Sequence, residues 1–110
     1  MTESLGLDGR VVIVTGASRG IGAAVCRIAA GLGAAVVGVA RSDKDLKMVL
    51  AHCTTPTAAI VGDVADERVA ASALDAAADL GRVWGLVNNA GIGAVGYHPL
   101  TQTPAKEWES

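Results

Sequence analysis

The sequence predicts an α/β fold, a doubly wound parallel sheet with helices packed on both faces. Short apolar runs alternate along the chain with longer segments whose apolar residues recur at helical spacing. The apolar runs are continuous, which is typical of strands buried on both faces. Of the 110 residues 51% are hydrophobic, and small residues dominate, with no Phe and one Tyr. This composition suits the close packing of helices on a sheet.

The first strand and helix are the most clearly defined elements. The run Val11–Thr15 predicts a buried strand, and the segment Gly20–Leu32 predicts a helix that Gly33 ends. The apolar residues that recur at helical spacing in this segment are Ile21, Ala24, Val25, Ile28, Ala29 and Leu32. A glycine-rich turn therefore joins the end of a strand to the start of a helix.

A second strand, Ala35–Ala40, is followed by a short helix near Lys44–Ala51. The residues expected on the inner face of this helix are Leu46, Val49 and Leu50. A loop over residues 54–57, which contains a proline, separates the helix from a third strand, Ala58–Val61. Because this strand is short, we expect it at an edge of the sheet.

The next helix starts at Ala65 or Asp66 and ends near Leu80, and it leads into a fourth strand, Val83–Asn88. One face of the helix carries Val69, Ala73, Ala76, Ala77 and Leu80. The alternation of strands and helices favours right-handed crossovers between parallel strands. A ligand site is then expected at the carboxyl ends of the strands.

Beyond the fourth strand the pattern changes. Residues 91–102 contain four Gly or Pro residues and no apolar period, which predicts a loop. Thr103 and Pro104 then have the order of a helix N-cap and a first helical residue. A strand in the fourth position of a doubly wound sheet is normally central. We therefore expect the sheet of this chain to be truncated after the fourth strand.

The turn after the first strand reads Thr-Gly-Ala-Ser-Arg-Gly-Ile-Gly over residues 15–22. At such a junction, backbone N–H groups and the positive end of the helix dipole suit a pyrophosphate. Glycine is needed because a Cβ would block the turn or the close approach of the phosphates. The spacing differs from the Gly-x-Gly-x-x-Gly of other dinucleotide folds. No Gly-Lys-Ser/Thr follows, which excludes a phosphate-binding loop of the NTPase type. The alternative is an ordinary turn between a strand and a helix.

Three motifs, each at the carboxyl end of a predicted strand, resemble those of the classical short-chain dehydrogenases/reductases. They are the glycine-rich turn over residues 15–22, Asp63-Val64, and Asn88-Asn89-Ala90-Gly91. The resemblance extends from about Gly6 to Ser110 and corresponds to the first half of a typical member. It implies that residues 1–110 are the N-terminal part of a single NAD(P)-binding Rossmann domain.

The resemblance also implies which residues bind the cofactor. Asp63 is expected to meet the adenine amino group and Val64 to lie against the ring, while Asn88 ties neighbouring strands together through its amide. The expected cofactor-binding residues are Gly16, Ser18, Arg19, Gly20, Ile21, Gly22, Arg41, Asp63, Val64, Asn89, Ala90 and Gly91. For Asp63 an alternative stays open, a carboxylate that favours the start of the next helix.

The residues after the second strand predict a preference for NADP(H) over NAD(H). Folds that bind NAD carry an acidic residue about 20 positions after the glycines, where it binds the ribose hydroxyls. Ala40 stands at that position and Arg41 follows it, while Arg19 lies inside the glycine-rich turn. Two guanidinium groups near one ribose suit a 2′-phosphate. The alternative is that Arg41 is a solvated surface residue, and Asp43 is expected to cap the next helix.

The reaction implied by the resemblance is hydride transfer between a nicotinamide and a carbonyl or alcohol carbon of a small molecule. Members use a Tyr as general acid/base, a Lys four residues later that lowers its pKa, a Ser and an Asn. No Tyr-x-x-x-Lys occurs in the sequence, since Tyr97 has Thr101 at that spacing. No catalytic residue is assigned, and we expect these 110 residues alone to be inactive although the full-length parent is an oxidoreductase. The alternatives are a non-catalytic dinucleotide-binding module and a non-functional truncated remnant.

Composition and charge argue against several classes of partner. A formal net charge of −2 leaves no basic patch for a nucleic acid. No apolar run approaches the roughly 20 residues of a membrane span, and the N-terminus lacks a signal-peptide pattern. Neither the cysteines nor the histidines have metal-ligand spacing. We therefore expect a cytoplasmic protein without a metal site, and the resemblance implies a homo-oligomeric parent enzyme.

Overall fold

The computed structural model describes residues 6–89, which form one four-stranded parallel sheet with helices on both faces. The strands are β1 (Arg10–Thr15), β2 (Ala35–Ala40), β3 (Thr57–Val61) and β4 (Arg82–Asn88). The helices are α1 (Gly20–Gly31), α2 (Asp43–Ala51) and α3 (Glu67–Leu80). Each element predicted before residue 89 is confirmed, with ends that differ by one or two residues. The predicted loop over residues 91–102 and the helix predicted from Thr103 lie outside the described residues.

The sheet has the strand order β3-β2-β1-β4, and every neighbouring pair is parallel. The carboxyl ends of the four strands therefore lie along one edge of the sheet. β3 is an edge strand, as its short apolar run predicted. Among the described residues β4 is the other edge strand, and its pairing with β1 shifts register between Val11 and Val12. This shift leaves Trp84 outside the register of paired residues.

The two central strands explain why the sequence shows continuous apolar runs. β1 and β2 are buried on both faces, and their side chains alternate between two separate core clusters. In one cluster, Val12, Val14 and Val36 pack beneath α1 and α2. In the other, Ile13 and Val37 pack against Ala73 and other alanines of α3. Burial on both faces removes the alternation of polar and apolar residues that a one-sided strand would show.

The buried face of α1 differs from its stripe of larger apolar residues. Ile21 and Ile28, which mark the helical spacing, are 52% and 63% exposed. The residues that face the sheet are smaller: Gly22, Ala23, Cys26, Ala29 and Ala30. Small side chains let the helix axis approach the sheet closely, and the larger residues then lie on the flank of the helix. The apolar period thus predicted the helix, whereas its buried face consists mostly of the smaller residues between the larger ones.

The starts of α2 and α3 rest on side-chain caps. The Ser42 hydroxyl accepts a hydrogen bond from the Asp45 N–H at 3.2 Å, so Ser42 is the N-cap of α2. The expectation that Asp43 caps this helix is wrong, because Asp43 is its first helical residue and pairs with Lys47 at 3.2 Å. An N-cap residue lies directly before the helix, where its side chain can accept from the free N–H groups of the first turn. In α3 that position is held by Asp66.

Cys26 and Cys53 are free thiols that lie close together between α1 and the end of α2. The Cys53 thiol donates a hydrogen bond to the backbone carbonyl of Cys26 at 3.7 Å. Burial raises the pKa of Cys26 to about 12, and the neighbouring Cys53 adds to this rise. Burial also raises the pKa of Cys53, although the positive charge of Arg27 lowers it in part. Both thiols are therefore protonated and poorly nucleophilic near neutral pH.

The Cys26 thiol makes stability depend on alkaline pH. In the unfolded chain it loses its proton near pH 9.0, whereas in the folded protein it keeps the proton up to about pH 12. The contribution of this thiol to the free energy of unfolding is therefore fully present below about pH 9. Above that pH it is lost, by up to about 1.4 kcal/mol per pH unit. Urea unfolding at about pH 8 and about pH 10.5 should show this loss, and Cys26→Ala should reduce it. Cys53→Ala should reduce the loss less than Cys26→Ala does, because the Cys26 thiol stays buried and loses only the added effect of Cys53. Equal pH slopes for the unmutated protein and Cys26→Ala would contradict the assignment.

Among residues 6–89 no helix combines the length and apolarity needed to cross a bilayer.

Candidate functional site

A cleft lies at the carboxyl ends of the strands, where the loops after β1, β2 and β3 meet the end of β4. Its volume is about 480 Å³, within the range of pockets that hold small molecules. The lining residues are Gly16, Ser18, Arg19, Val39, Ala40, Arg41, Ser42, Gly62, Asp63, Val64 and Asn89. The parallel topology thus brings together loops that are far apart in the sequence.

Most of the residues predicted to bind a cofactor line this cleft. Those that do are Gly16, Ser18, Arg19, Arg41, Asp63, Val64 and Asn89. Three others, Gly20, Ile21 and Gly22, do not line it and instead form the first residues of α1. Ala90 and Gly91 lie outside the described residues, as does Tyr97. The structure adds four residues that flank the predicted ones at the ends of β2 and β3: Val39, Ala40, Ser42 and Gly62.

The glycine-rich turn places the start of α1 against the end of β4. Gly16 and Gly20 have φ angles of 62° and 60°, in the left-handed region that favours glycine. A Cβ on Gly22 would collide with the Gly16 carbonyl oxygen and lie 2.8 Å from Asn89 Nδ2. Gly22 is therefore required by the close approach of backbone to backbone. The turn is fixed by these three glycines together with the neighbouring end of β4.

The start of α1 carries no cap from a side chain. Arg19 is its N-cap residue, with φ −160°, and its side chain makes no capping hydrogen bond. The first turn of α1 also has no acidic residue. The N–H groups and the positive end of the helix dipole are therefore not neutralised by the protein in this part of the chain. Such a helix start is suited to an anionic ligand.

A hydrogen-bond network fixes the turn to β4. The buried Thr15 hydroxyl donates to Asn88 Oδ1 at 3.0 Å and accepts from the Asn89 N–H at 3.0 Å. Asn89 Nδ2 donates to the Gly16 carbonyl at 3.2 Å. The Asn88 amide thus joins β4 to β1, as the resemblance implied, and the Asn89 amide supports the turn from the β4 side.

The charged groups of the cleft come from three loops. Arg41 Nη2 lies 3.3 Å from Asp63 Oδ2, although the two side chains are 82% and 51% exposed. The other oxygen of Asp63, Oδ1, accepts a hydrogen bond from the Ala65 N–H at 2.9 Å. Asp66 is the cap of α3, and Asp63 both lines the cleft and supports the turn that leads into α3. Arg41 is solvated, but it also lines the cleft and has an acidic partner there.

The Asp66 carboxylate has a separate role at the start of α3. Hydrogen bonds from the Arg68 side chain and backbone N–H lower the pKa of Asp66. Both residues lie at the surface, and neither lines the cleft. Over residues 6–89 no group of three His, Cys, Asp or Glu side chains is placed to hold a metal ion.

The arrangement fits a ligand with a polyphosphate and a nucleoside. The uncapped start of α1 offers N–H donors to one phosphate group, and Arg19 and Arg41 offer guanidinium donors to another. Of the apolar lining residues, Val64 is partly exposed and offers surface for a base, whereas Val39 and Ala40 are almost fully buried. The described part of the cleft therefore offers donors for anionic groups beside apolar surface.

The chain is similar in sequence to known proteins. A family model described as short chain dehydrogenase matches residues 10–110. Acetoacetyl-CoA reductase from Synechocystis sp. is 37% identical over 108 residues, which are 97% of this chain and 41% of that protein. The 3-oxoacyl-(acyl-carrier-protein) reductase FabG from Escherichia coli is 36% identical over 89 residues, 80% of this chain and 36% of that protein. The chain thus spans about two fifths of the length of these relatives.

Solved structures with similar sequences share the fold. A short-chain dehydrogenase/reductase from Serratia marcescens has a TM-score of 0.68 at 38% identity and covers 76% of this chain and 36% of its own. A short chain dehydrogenase from Mycobacterium paratuberculosis, solved bound to NAD, has a TM-score of 0.70 at 30% identity. That match covers 77% of this chain and 38% of the solved one.

Proposed function

This chain belongs to the short-chain dehydrogenase family, and on that premise we propose that its cleft binds NADP(H) as the cofactor site of an oxidoreductase. Members of this family are oxidoreductases that bind NAD(P). Residues 1–110 would form the N-terminal part of a single Rossmann domain. The proposal rests on one observation. The glycine-rich turn, which includes Arg19, lines the same cleft as Arg41.

Each part of the cleft would hold one part of the cofactor. The turn and the uncapped start of α1 would bind the pyrophosphate, because N–H groups and the helix dipole favour negative charge. Asp63 and Val64 would contact the adenine, and Asn89 would border a ribose together with Ala90 and Gly91. Gly20, Ile21 and Gly22 would act by shaping the start of α1 beside the phosphates.

The charge of the cleft supports NADP(H) over NAD(H). Ala40 stands at the end of β2, where a carboxylate would repel a 2′-phosphate, and Arg41 follows it. Arg19 approaches the same cleft from the glycine-rich turn. Family membership alone does not decide this choice, since one of the similar structures is bound to NAD. The two guanidinium groups are the feature of this chain that favours NADP(H).

The bound cofactor would supply or accept the hydride. The residues of this chain would bind and orient it, and these 110 residues contain no Tyr-x-x-x-Lys to handle the proton of the reaction. A small-molecule carbonyl or alcohol is the proposed substrate class, in keeping with the similar reductases from Synechocystis sp. and Escherichia coli. A homo-oligomeric parent and a cytoplasmic location stay predictions from the sequence.

The cofactor preference is tested with Arg41→Ala in the full-length protein. A charge-assisted hydrogen bond contributes about 1.5–3 kcal/mol, so losing it should reduce the preference for NADPH over NADH by roughly 10- to 150-fold. Adding Ala40→Asp should move the preference toward NADH. Dissociation constants of both cofactors, measured by calorimetric titration, report the ratio.

The matched control is Arg27→Ala, which removes an exposed arginine of α1 that does not line the cleft. This control should leave the ratio of the two dissociation constants unchanged. Equal affinity of the unmutated protein for NADPH and NADH would refute the assignment.

A further inference from the structure

The Arg41–Asp63 ion pair lies at the point where a 2′-phosphate is proposed to bind. Arg41 follows β2, Asp63 follows β3, and these strands are neighbours, so their two side chains meet across the cleft. The Asp63 carboxylate uses both oxygens, one for Arg41 Nη2 at 3.3 Å and one for the Ala65 N–H at 2.9 Å. The second contact anchors the carboxylate independently of the arginine.

We propose that Asp63 is a specificity-determining residue whose carboxylate competes with the ligand's 2′-phosphate for Arg41. The inference rests on the proposed function, because it concerns the phosphate that distinguishes NADP(H) from NAD(H). Among the described lining residues, Arg19 and Arg41 are the cations and Asp63 is the anion. Asp63 therefore offsets half of the positive charge that the cleft presents to a phosphate.

A bound 2′-phosphate would replace Asp63 as the partner of Arg41, but the Asp63 carboxylate would stay nearby. An ion pair as exposed as this one stabilises the protein little, so a phosphate dianion can displace the carboxylate from Arg41. The displaced carboxylate does not leave the cleft, because the Ala65 N–H holds it in an Asx turn. It then repels the bound phosphate. Asp63 thus lowers the preference for a phosphorylated ligand below the value that the two arginines alone would give.

This role is separate from contact with the adenine. An adenine contact acts equally on ligands with and without the 2′-phosphate, so it cancels in the ratio of their affinities. Repulsion between the carboxylate and the phosphate does not cancel. The ratio for 2′,5′-ADP and 5′-AMP, which differ by the 2′-phosphate alone, therefore isolates the proposed effect.

The test is Asp63→Asn in the full-length protein, with dissociation constants of 2′,5′-ADP and 5′-AMP measured by calorimetry. Asparagine keeps an oxygen for the Ala65 N–H and removes the charge. The preference for 2′,5′-ADP is expected to rise by about 3- to 10-fold, and the rise should shrink with added salt. Asp63→Glu keeps the negative charge, so its ratio should stay closer to that of the unmutated protein than the ratio of Asp63→Asn.

The matched control is Asp66→Asn, the same change three residues away on a carboxylate that pairs with Arg68 outside the cleft. Asparagine is an equally good N-cap, so α3 is preserved and the ratio should stay unchanged. An unchanged or lower ratio in Asp63→Asn overturns the inference while ligand binding itself still supports the proposed function. If neither ligand binds the folded unmutated protein, the proposed function fails first.

Discussion

Replacing Gly22 by alanine is expected to weaken NADPH binding by about 100-fold or more. The new Cβ would collide with the Gly16 carbonyl and lie 2.8 Å from Asn89 Nδ2, so the turn or the helix must move. Either movement misplaces the N–H groups that are proposed to bind the pyrophosphate. Each lost bond to a charged group contributes about 1.5–3 kcal/mol, and two such losses give the expected factor.

The chain offers a matched control for Gly22→Ala within the same helix. Gly31 is exposed and has an ordinary φ angle, and a Cβ added to it would meet no other atom within 4 Å. Gly31→Ala should leave NADPH affinity unchanged and preserve or slightly raise stability, because alanine favours a helix. Calorimetric titration gives the affinities, and circular dichroism verifies that each variant is folded. An affinity for Gly22→Ala within about 3-fold of the unmutated value would contradict the packing argument.

The second large effect concerns turnover by the 110 residues alone. A purified polypeptide of this sequence, without a tag, is expected to show no NADPH-dependent carbonyl reduction above background. General acid/base catalysis is worth about 10²- to 10⁴-fold, and no Tyr-x-x-x-Lys is present to supply it. The loss of substrate positioning reduces the rate further. The oxidation of NADPH is followed at its absorbance band with a panel of small ketones.

The control for turnover is the same polypeptide with Arg41→Ala. Steady NADPH oxidation by the unmutated polypeptide that disappears in this variant would establish catalysis by these residues and overturn the prediction. Binding of NADPH without turnover would instead favour the dinucleotide-binding module, the alternative that the sequence left open.

The order and type of the elements follow from local properties of the sequence. The continuous apolar run of β1 and the glycines after it depend on burial and on backbone geometry that neighbouring residues determine. The inner face of α1 does not follow from the local sequence, because it depends on how closely the helix approaches the sheet. A hydropathy pattern favours Ile21 and Ile28, whereas the sheet selects the small residues Gly22 and Cys26. The faces predicted for α2 and α3 do contain buried residues, among them Leu46 and Ala73, so α1 is the helix in which the hydropathy pattern and the buried face differ.

The cleft residues were predictable where a motif carries them, and the contacts between them were not. Arg41 and Asp63 were each expected to bind a ligand, yet in the structure they bind each other. That pair depends on the adjacency of β2 and β3 and on the reach of an arginine side chain. The Ser42 cap shows the same limit on a smaller scale, because a shift of one residue in the helix start decides which side chain caps it.

The strand order β3-β2-β1-β4 also has a consequence for the path by which the protein folds. β2 joins β1, β3 joins β2, and β4 then joins the free side of β1, so no strand has to insert between two that are already paired. The sheet can therefore grow outward as the ribosome releases the chain. The β1–β4 pairing links residues such as Thr15 and Asn88, 73 positions apart, and closing that loop makes β4 the last of the four to dock. Because Asn89 follows β4 directly, its support of the glycine-rich turn forms only when this strand docks.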